Sequence, residues 1–233
     1  MRKIVLIALF SAFALAQDIY ATFNVDAKAD AKLAFSAGGI VQSVLVDVGS
    51  YVKRGDVLAT LKNSDLKANL ELIKTELKYA KKDYARVKRA QSVIDKAQID
   101  KFAFKKDIAQ AKIKVQQEMI AKTVLKAPFD GVIYYKNIEA GDVVSGMNPR
   151  VVFKLQSKSS TKLIISFDQK WASVVKVGDT FKYKLSNSSD TKSVKITKIY
   201  PTIDTKSRKV IAQAVSSGEF VGMFGDGYIE VNR

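Results

Sequence analysis

Residues 39–61, GIVQSVLVDVGSYVKRGDVLATL, return 92 positions later as residues 131–153, GVIYYKNIEAGDVVSGMNPRVVF. Gly39, Val41, Gly49, Val52 and Leu61 fall on Gly131, Ile133, Gly141, Val144 and Phe153 without a gap. Each copy reads as a β-strand, a glycine-bearing turn and a second strand, with Val44, Val46 and Val48 alternating as in a half-buried strand. Gly39, Gly49, Gly131 and Gly141 are the expected structural turn positions; at Gly49 and Gly141 a positive φ is cheap only for glycine. A lone two-stranded hairpin is marginal in water. The two copies are therefore expected to pack face to face as a small β-sandwich.

The segment between the copies follows a different period. Leu66, Leu70, Ile73, Leu77, Ala80, Tyr84 and Val87 recur at alternating spacings of four and three, a heptad seam. Ser64 is the expected N-cap, with Asp65 in the first turn. A second helix is expected with Phe104, Ile108, Ala111 and Val115 on its packed face, opened by a capping box of Ser92 and Asp95. Since the repeats must meet, the helices go out and return as an antiparallel coiled-coil hairpin. An arm of about 25 residues at about 1.5 Å each reaches on the order of 35–40 Å. Residues 64–123 hold fifteen basic and eight acidic side chains. The basic cluster Arg86, Lys88 and Arg89 near the tip, with Asp95 across the turn, is the expected partner-binding site.

Outside the repeat, residues 17–33 read as a strand joining a later barrel. After residue 155 come short strand-like pieces separated by turns at 177–179, 187–190 and 225–227, the pattern of a small antiparallel barrel. The expected order is thus a leader over 1–16, a barrel strand over 17–33, sandwich halves over 34–63 and 124–155, the helical hairpin over 64–123, and the barrel over 156–233. The fold class is mainly β, a split β-sandwich with an inserted α-helical coiled-coil hairpin plus a small antiparallel barrel. The leader rests on Arg2 and Lys3, the uncharged run from Ile4 to Leu15, and Ala14-Leu15-Ala16 as a small-x-small cleavage site. That run of 12 falls short of the roughly 20 apolar residues of a stable span. The full chain carries a net charge of +16, which falls by two when Arg2 and Lys3 leave with the leader, and an exported chain so basic is expected to meet acidic protein or anionic lipid, not nucleic acid.

Two absences narrow the chemistry. The chain has no Cys and no His, which removes disulfides, thiolate nucleophiles, zinc ribbons and the commonest general base. No catalytic residue, metal ligand or cofactor is expected.

Three motifs carry a family resemblance: Phe35-Ser36-Ala37-Gly38-Gly39-Ile40-Val41, Val52-Lys53-Arg54-Gly55-Asp56-Val57-Leu58, and Lys126-Ala127-Pro128-Phe129-Asp130-Gly131-Val132-Ile133. Pro201, Asp204, Thr205-Lys206-Ser207-Arg208 and Gly222-Met223 extend it. In this order, around a heptad insert, the chain resembles the periplasmic adaptors, or membrane fusion proteins, of tripartite RND-type efflux pumps. The resemblance implies that the split sandwich is a lipoyl-like domain and that the hairpin tip docks on an outer-membrane channel of the TolC type. It further implies a barrel that meets an inner-membrane RND-type transporter, and several copies in a ring in the periplasm. Members serving proton-driven pumps carry a tip motif of Arg, Leu four residues on, and Ser seven further. With Arg86 as its start, Ala90 and Ala97 stand at the other two places; anchored on 94–100, Asp95 takes the Ser position. The end at Arg233 is expected to mark a compact form without a membrane-proximal domain.

Three other readings share parts of this pattern. An adaptor of an ATP-driven export system shares every feature above. A lipoyl or biotinyl carrier needs a modifiable lysine in the turn joining the halves, where this chain has some sixty helical residues, and Lys62 merely closes a strand. Transfer of Cu(I) or Ag(I) wants clustered Cys or Met, and Met119, Met147 and Met223 lie far apart in sequence.

Overall fold

The fold is that of a computed structural model, which describes residues 18–231 except 159–160 and 187–189. The leader expected over 1–16 and most of the turn expected over 187–190 lie outside the described residues. The chain divides into two compact units, Ala29–Ser157 and the segments on either side of it.

In the first unit the repeat folds by exchanging strands. The first copy supplies β3 (Gly39–Val44), β4 (Tyr51–Val52) and β5 (Val57–Leu61); the second supplies β7 (Gly131–Lys136), β8 (Val143–Val144) and β9 (Phe153–Gln156). Within each copy the first and last strands pair antiparallel, β3 with β5 and β7 with β9, but the short strand after the glycine turn pairs with the other copy. β4 pairs with β7, placing Tyr51 opposite Val132 and Val52 opposite Gly131. β8 pairs with β3, placing Ile40 opposite Val143 and Gly39 opposite Val144. A shift of 92 residues converts one set of pairs into the other. The same relation holds for the Gly49 N–H to Ile133 carbonyl bond (2.8 Å) and the Gly141 N–H to Val41 carbonyl bond (2.9 Å). With β2 (Asp30–Leu33) and β6 (Val124–Lys126), these strands build two four-stranded sheets, ordered β2-β9-β7-β4 and β6-β5-β3-β8. Val41, Val52 and Leu61 meet their repeat counterparts Ile133, Val144 and Phe153 in one buried cluster with Leu58 and Leu155. Each copy is an incomplete sheet until the other lends a strand, so burial of this cluster requires both.

Gly49 and Gly141 take φ of 89° and 95°, as the turn reading expects. Gly39 and Gly131 instead open β3 and β7 and lie in no turn. Gly131 is glycine because a Cβ there would overlap the carbonyl oxygen of Gln156 on β9.

The second unit is a closed six-stranded barrel. Its strands are β1 (Asp18–Ala27), β10 (Thr161–Asp168), β11 (Thr180–Leu185), β12 (Thr191–Asp204), β13 (Lys209–Ser216) and β14 (Phe224–Glu230), in the order β1-β10-β13-β12-β11-β14. Along β1, Ile19, Ala21, Phe23, Val25 and Ala27 point inward and alternate with polar or exposed residues. Phe23 packs edge-on against Phe181 and Tyr183, with centroids 5.7 and 4.9 Å apart. Two sequence expectations change here. The stretch 17–33 is not one barrel strand: 18–27 enter the barrel, while Asp30–Leu33 pair with β9 in the other unit. Residues 225–227 are strand and not turn, because Gly225 and Gly227 lie against the carbonyls of Lys184 and Lys182, leaving no room for a Cβ.

Candidate functional site: the helical pair and its turn

Two helices of 26 residues each, α1 (Ser64–Arg89) and α2 (Lys96–Ala121), leave β5 and return to β6. At about 1.5 Å per residue each is roughly 39 Å long. Their roots are tied together by a buried hydrogen bond from the Asn63 side-chain amide to the Thr123 hydroxyl, 2.8 Å. That contact explains why α1 lacks the expected Ser64 cap. The preceding residue is Asn63, and its side chain makes no capping bond because it spans to Thr123.

The two helices run antiparallel, as cross-helix contacts show. Asn69 donates to Gln116 (3.0 Å), Gln116 donates to the Leu66 carbonyl (2.9 Å), and Lys112 pairs with Glu76 (3.0 Å). All seven residues of the α1 seam, Leu66 through Val87, are half-buried. The α2 seam differs from the expected one. Residues turned toward α1 are Ile99, Phe102, Lys106, Ala109, Ile113, Gln116 and Ile120, a heptad series two positions away from the Phe104 face. Counting apolar residues missed it because two members are polar. Lys106 lies over the Tyr84 ring at 4.6 Å and beside Asp107 at 3.1 Å, and buried Gln116 satisfies its amide on α1. Phe104 (66% exposed), Ile108, Ala111 and Val115 (56% exposed), with Met119, therefore form an apolar stripe on solvent.

The four tip residues come together where α1 ends and α2 begins. Arg86 sits 3.6 Å from Asp83, Lys88 lies 5.8 Å over the Tyr84 ring, and the Arg89 Nε donates to the Ala85 carbonyl at 3.3 Å. These contacts are local, and the basic groups stand at the helix C-terminus, where the macrodipole favours cations. Asp95 is the N-cap of α2, its carboxylate accepting from the Ala97 N–H at 3.4 Å. The expected Ser92–Asp95 box is thus replaced by an Asp95 cap, with Ser92 in the turn outside the helix. Val93 stands at the tip, 84% exposed.

Among the described residues no group of three or more His, Cys, Asp and Glu could hold a metal ion, and no helix is long and apolar enough to cross a membrane.

Residues 30–155, more than half of the chain, match the family described as the CzcB-like, barrel-sandwich hybrid domain. The chain belongs to the CzcB-like membrane fusion proteins. Within this family it is 29% identical over 172 residues to the cobalt-zinc-cadmium resistance protein CzcB of Cupriavidus metallidurans, covering 66% of this chain and 32% of that protein. It is 27% identical over 192 residues to an uncharacterised protein of Haemophilus influenzae, covering 81% of this chain and 50% of that one. The chain thus spans between a third and a half of these relatives' length. In fold it matches the crystal structure of a MacA–MexA chimaera containing the Pseudomonas aeruginosa MexA α-hairpin domain. The TM-score is 0.86 at 18% identity, over 94% of this chain and 80% of the chimaera.

Proposed function

We propose that this membrane fusion protein is a non-enzymatic periplasmic adaptor of an efflux system, joining an inner-membrane transporter to an outer-membrane channel. The observation that carries this reading is the helical pair itself. It is a two-helix arm rooted by the Asn63–Thr123 bond in a strand-exchanged sandwich, with a charged tip and an apolar stripe that no other part of its own unit covers. An arm of this kind adds little to the core of the unit that bears it. Its surfaces suit contact with other proteins.

In this reading the pair acts as a coiled-coil hairpin whose tip, through Arg86, Lys88, Arg89 and Asp95, meets a TolC-type channel. Several copies stand side by side in a ring around the exit path, and the exposed stripe of Phe104, Ile108, Val115 and Met119 is the helical surface available to a neighbour. The barrel meets an RND-type transporter. The name of the Cupriavidus relative points to divalent cations as cargo; the chain itself would shape the conduit and hand over no metal. An ATP-driven transporter is the second reading. The same hairpin, sandwich and barrel would serve it equally, and only the transporter end would differ.

Reversing Arg86 and Arg89 to Glu tests the tip. Both side chains are exposed and their partners lie within one helical turn, so the variant should fold with unchanged helicity. It is expected to lose chemical crosslinking to the channel and to sensitise cells to efflux substrates. Unchanged crosslinking and resistance would remove the tip from the interface.

A further inference from the structure

The barrel end at which β1 begins carries a basic and aromatic surface whose residues the adaptor reading does not name. Register fixes what lies there. Asp18 stands opposite Glu230, Thr180 opposite Glu230 and Lys195, Asp168 opposite Lys209, and Lys209 opposite Asp204. The start of β1, the turn after β10 and the β12–β13 turn therefore share one end. Between Ile199 and Ile203 the β12 register slips against β13, four residues facing two, which pushes Tyr200-Pro201-Thr202 outward. Tyr200 and Ile203 are exposed, as are Lys198, Lys206 and Arg208.

The neighbouring turn adds to this surface. The Gln169 N–H donates to the Arg208 carbonyl (3.3 Å), which holds Lys170 and Trp171 beside the β12–β13 turn, with the Lys170 ammonium 5.4 Å from the Trp171 ring centroid. The acidic groups of this end keep their charge, but most are bound into their own turns and Glu230 is paired with a lysine. Asp204 accepts from the Lys206 and Ser207 N–H groups, Asp168 from the Lys170 N–H, and Asp179 from the Lys176 N–H, while Glu230 pairs with Lys182. Asp18 is exposed, and its charge acts on Lys182.

We propose that this end of the barrel rests on an anionic phospholipid surface. Basic side chains interleaved with exposed Tyr200 and Ile203, and with the open edge of half-buried Trp171, suit the headgroup layer, where charge meets phosphate and the rings sit at the apolar boundary. A nucleic acid or a soluble acidic protein would use the charge but not the outward bulge of Tyr200 and Ile203. The proposal is independent of what the helical tip meets, so a chain that captured no channel would still bind lipid.

Sedimentation of the full chain with vesicles tests it. Phosphatidylglycerol mixed with phosphatidylethanolamine should bind the chain far more strongly than phosphatidylcholine, and added salt should release it. The triple variant Lys170→Glu, Lys198→Glu, Lys206→Glu should partition about a hundredfold more weakly, the change corresponding to three cations at about 1 kcal/mol each. Lys28→Glu, Lys162→Glu, Lys184→Glu, the matched change at the opposite end, should leave binding nearly intact. Equal loss in both triples, equal binding to both vesicle types, or no binding to protein-free anionic vesicles (the result if these side chains meet a transporter instead) overturns the proposal.

Discussion

Replacing Gly131 by Val is expected to unfold the 29–157 unit while leaving the barrel folded. Gly131 lies at the centre of the strand exchange. It pairs with Val52 from the other copy, and its Cα faces the Gln156 carbonyl of β9 so closely that any Cβ overlaps that oxygen and crowds Leu155. A branched side chain there cannot be absorbed by a rotamer change, since the atom in the way is backbone. Either β7 moves off β9 or β4 leaves β7, and both movements open the buried cluster around Ile133 and Leu155. A cost of at least about 3 kcal/mol follows from overpacking together with lost ladder bonds. Two signals separate the units. Both helices belong to 29–157, so far-UV circular dichroism reports that unit. Trp171, the only tryptophan in the sequence, packs against the barrel core, so its fluorescence reports the other. The variant should lose the helical transition and keep the fluorescence transition. Gly49→Ala is the control: its positive φ is strained by a Cβ, but nothing stands in the way, and about 1 kcal/mol is expected.

Glu219 should be the corresponding weak point of the barrel. Its side chain, 1% exposed, accepts from the Tyr183 hydroxyl (3.0 Å), the Ser216 hydroxyl (2.6 Å), the Thr161 hydroxyl (3.3 Å) and the Lys192 ammonium (2.9 Å). Glu219→Ala strips the acceptor from three buried hydroxyls at once. Lys192 is half-exposed and can turn to water, so most of the cost falls on those hydroxyls, about 3 kcal/mol. The pH dependence has a definite sign. Burial pushes the Glu219 carboxyl upward, but hydrogen bonds from Ser216, Lys192 and Tyr183, and the Lys192 charge, outweigh it and hold the group below its ordinary value of 4.5. A carboxyl with a lowered folded value contributes stability that is fully present above the unfolded value and is lost as pH falls through the folded one. Barrel stability, followed by Trp171 fluorescence in urea, should therefore be insensitive to this group from neutral pH down to about 4.5 and decline below it. In Glu219→Gln that part of the acid decline should vanish. An identical acid profile in wild type and Glu219→Gln would show that the network carries no such stability.

The sandwich was legible in the sequence because repeats constrain space. A gapless 92-residue offset preserves residue type at Gly39, Val41, Gly49, Val52 and Leu61, and those positions supply the pairs and the core. What a sequence does not express is which strand pairs with which. β4 and β8 have only two residues each, and the same alternation fits a hairpin or an exchange. The α1 seam was readable because all seven of its positions are apolar or aromatic. The α2 seam was not, because Lys106 and Gln116 occupy core positions made tolerable by partners on the other helix, while a more apolar series faces solvent. Phe104, Ile108 and Val115 marked a real face of the helix, but one turned away from α1. The glycines of 225–227 gave a false turn signal for a related reason: glycine marks a close approach of backbones as often as a bend. At the tip, position was legible from the turn between two amphipathic runs, and the cap was misplaced by three residues because Ser92 and Asp95 both suit it.

Site-specific photocrosslinking at Val93 in intact cells tests the adaptor reading most directly. A photoreactive side chain at this fully presented tip position should give an adduct with an outer-membrane channel protein. The same group at Met147, a still more exposed position on the sandwich, should give none. An adduct with the channel from Met147 and not from Val93, or no outer-membrane adduct from Val93 in cells where the chain is exported and folded, would contradict the claim that the helical pair reaches outward to a channel.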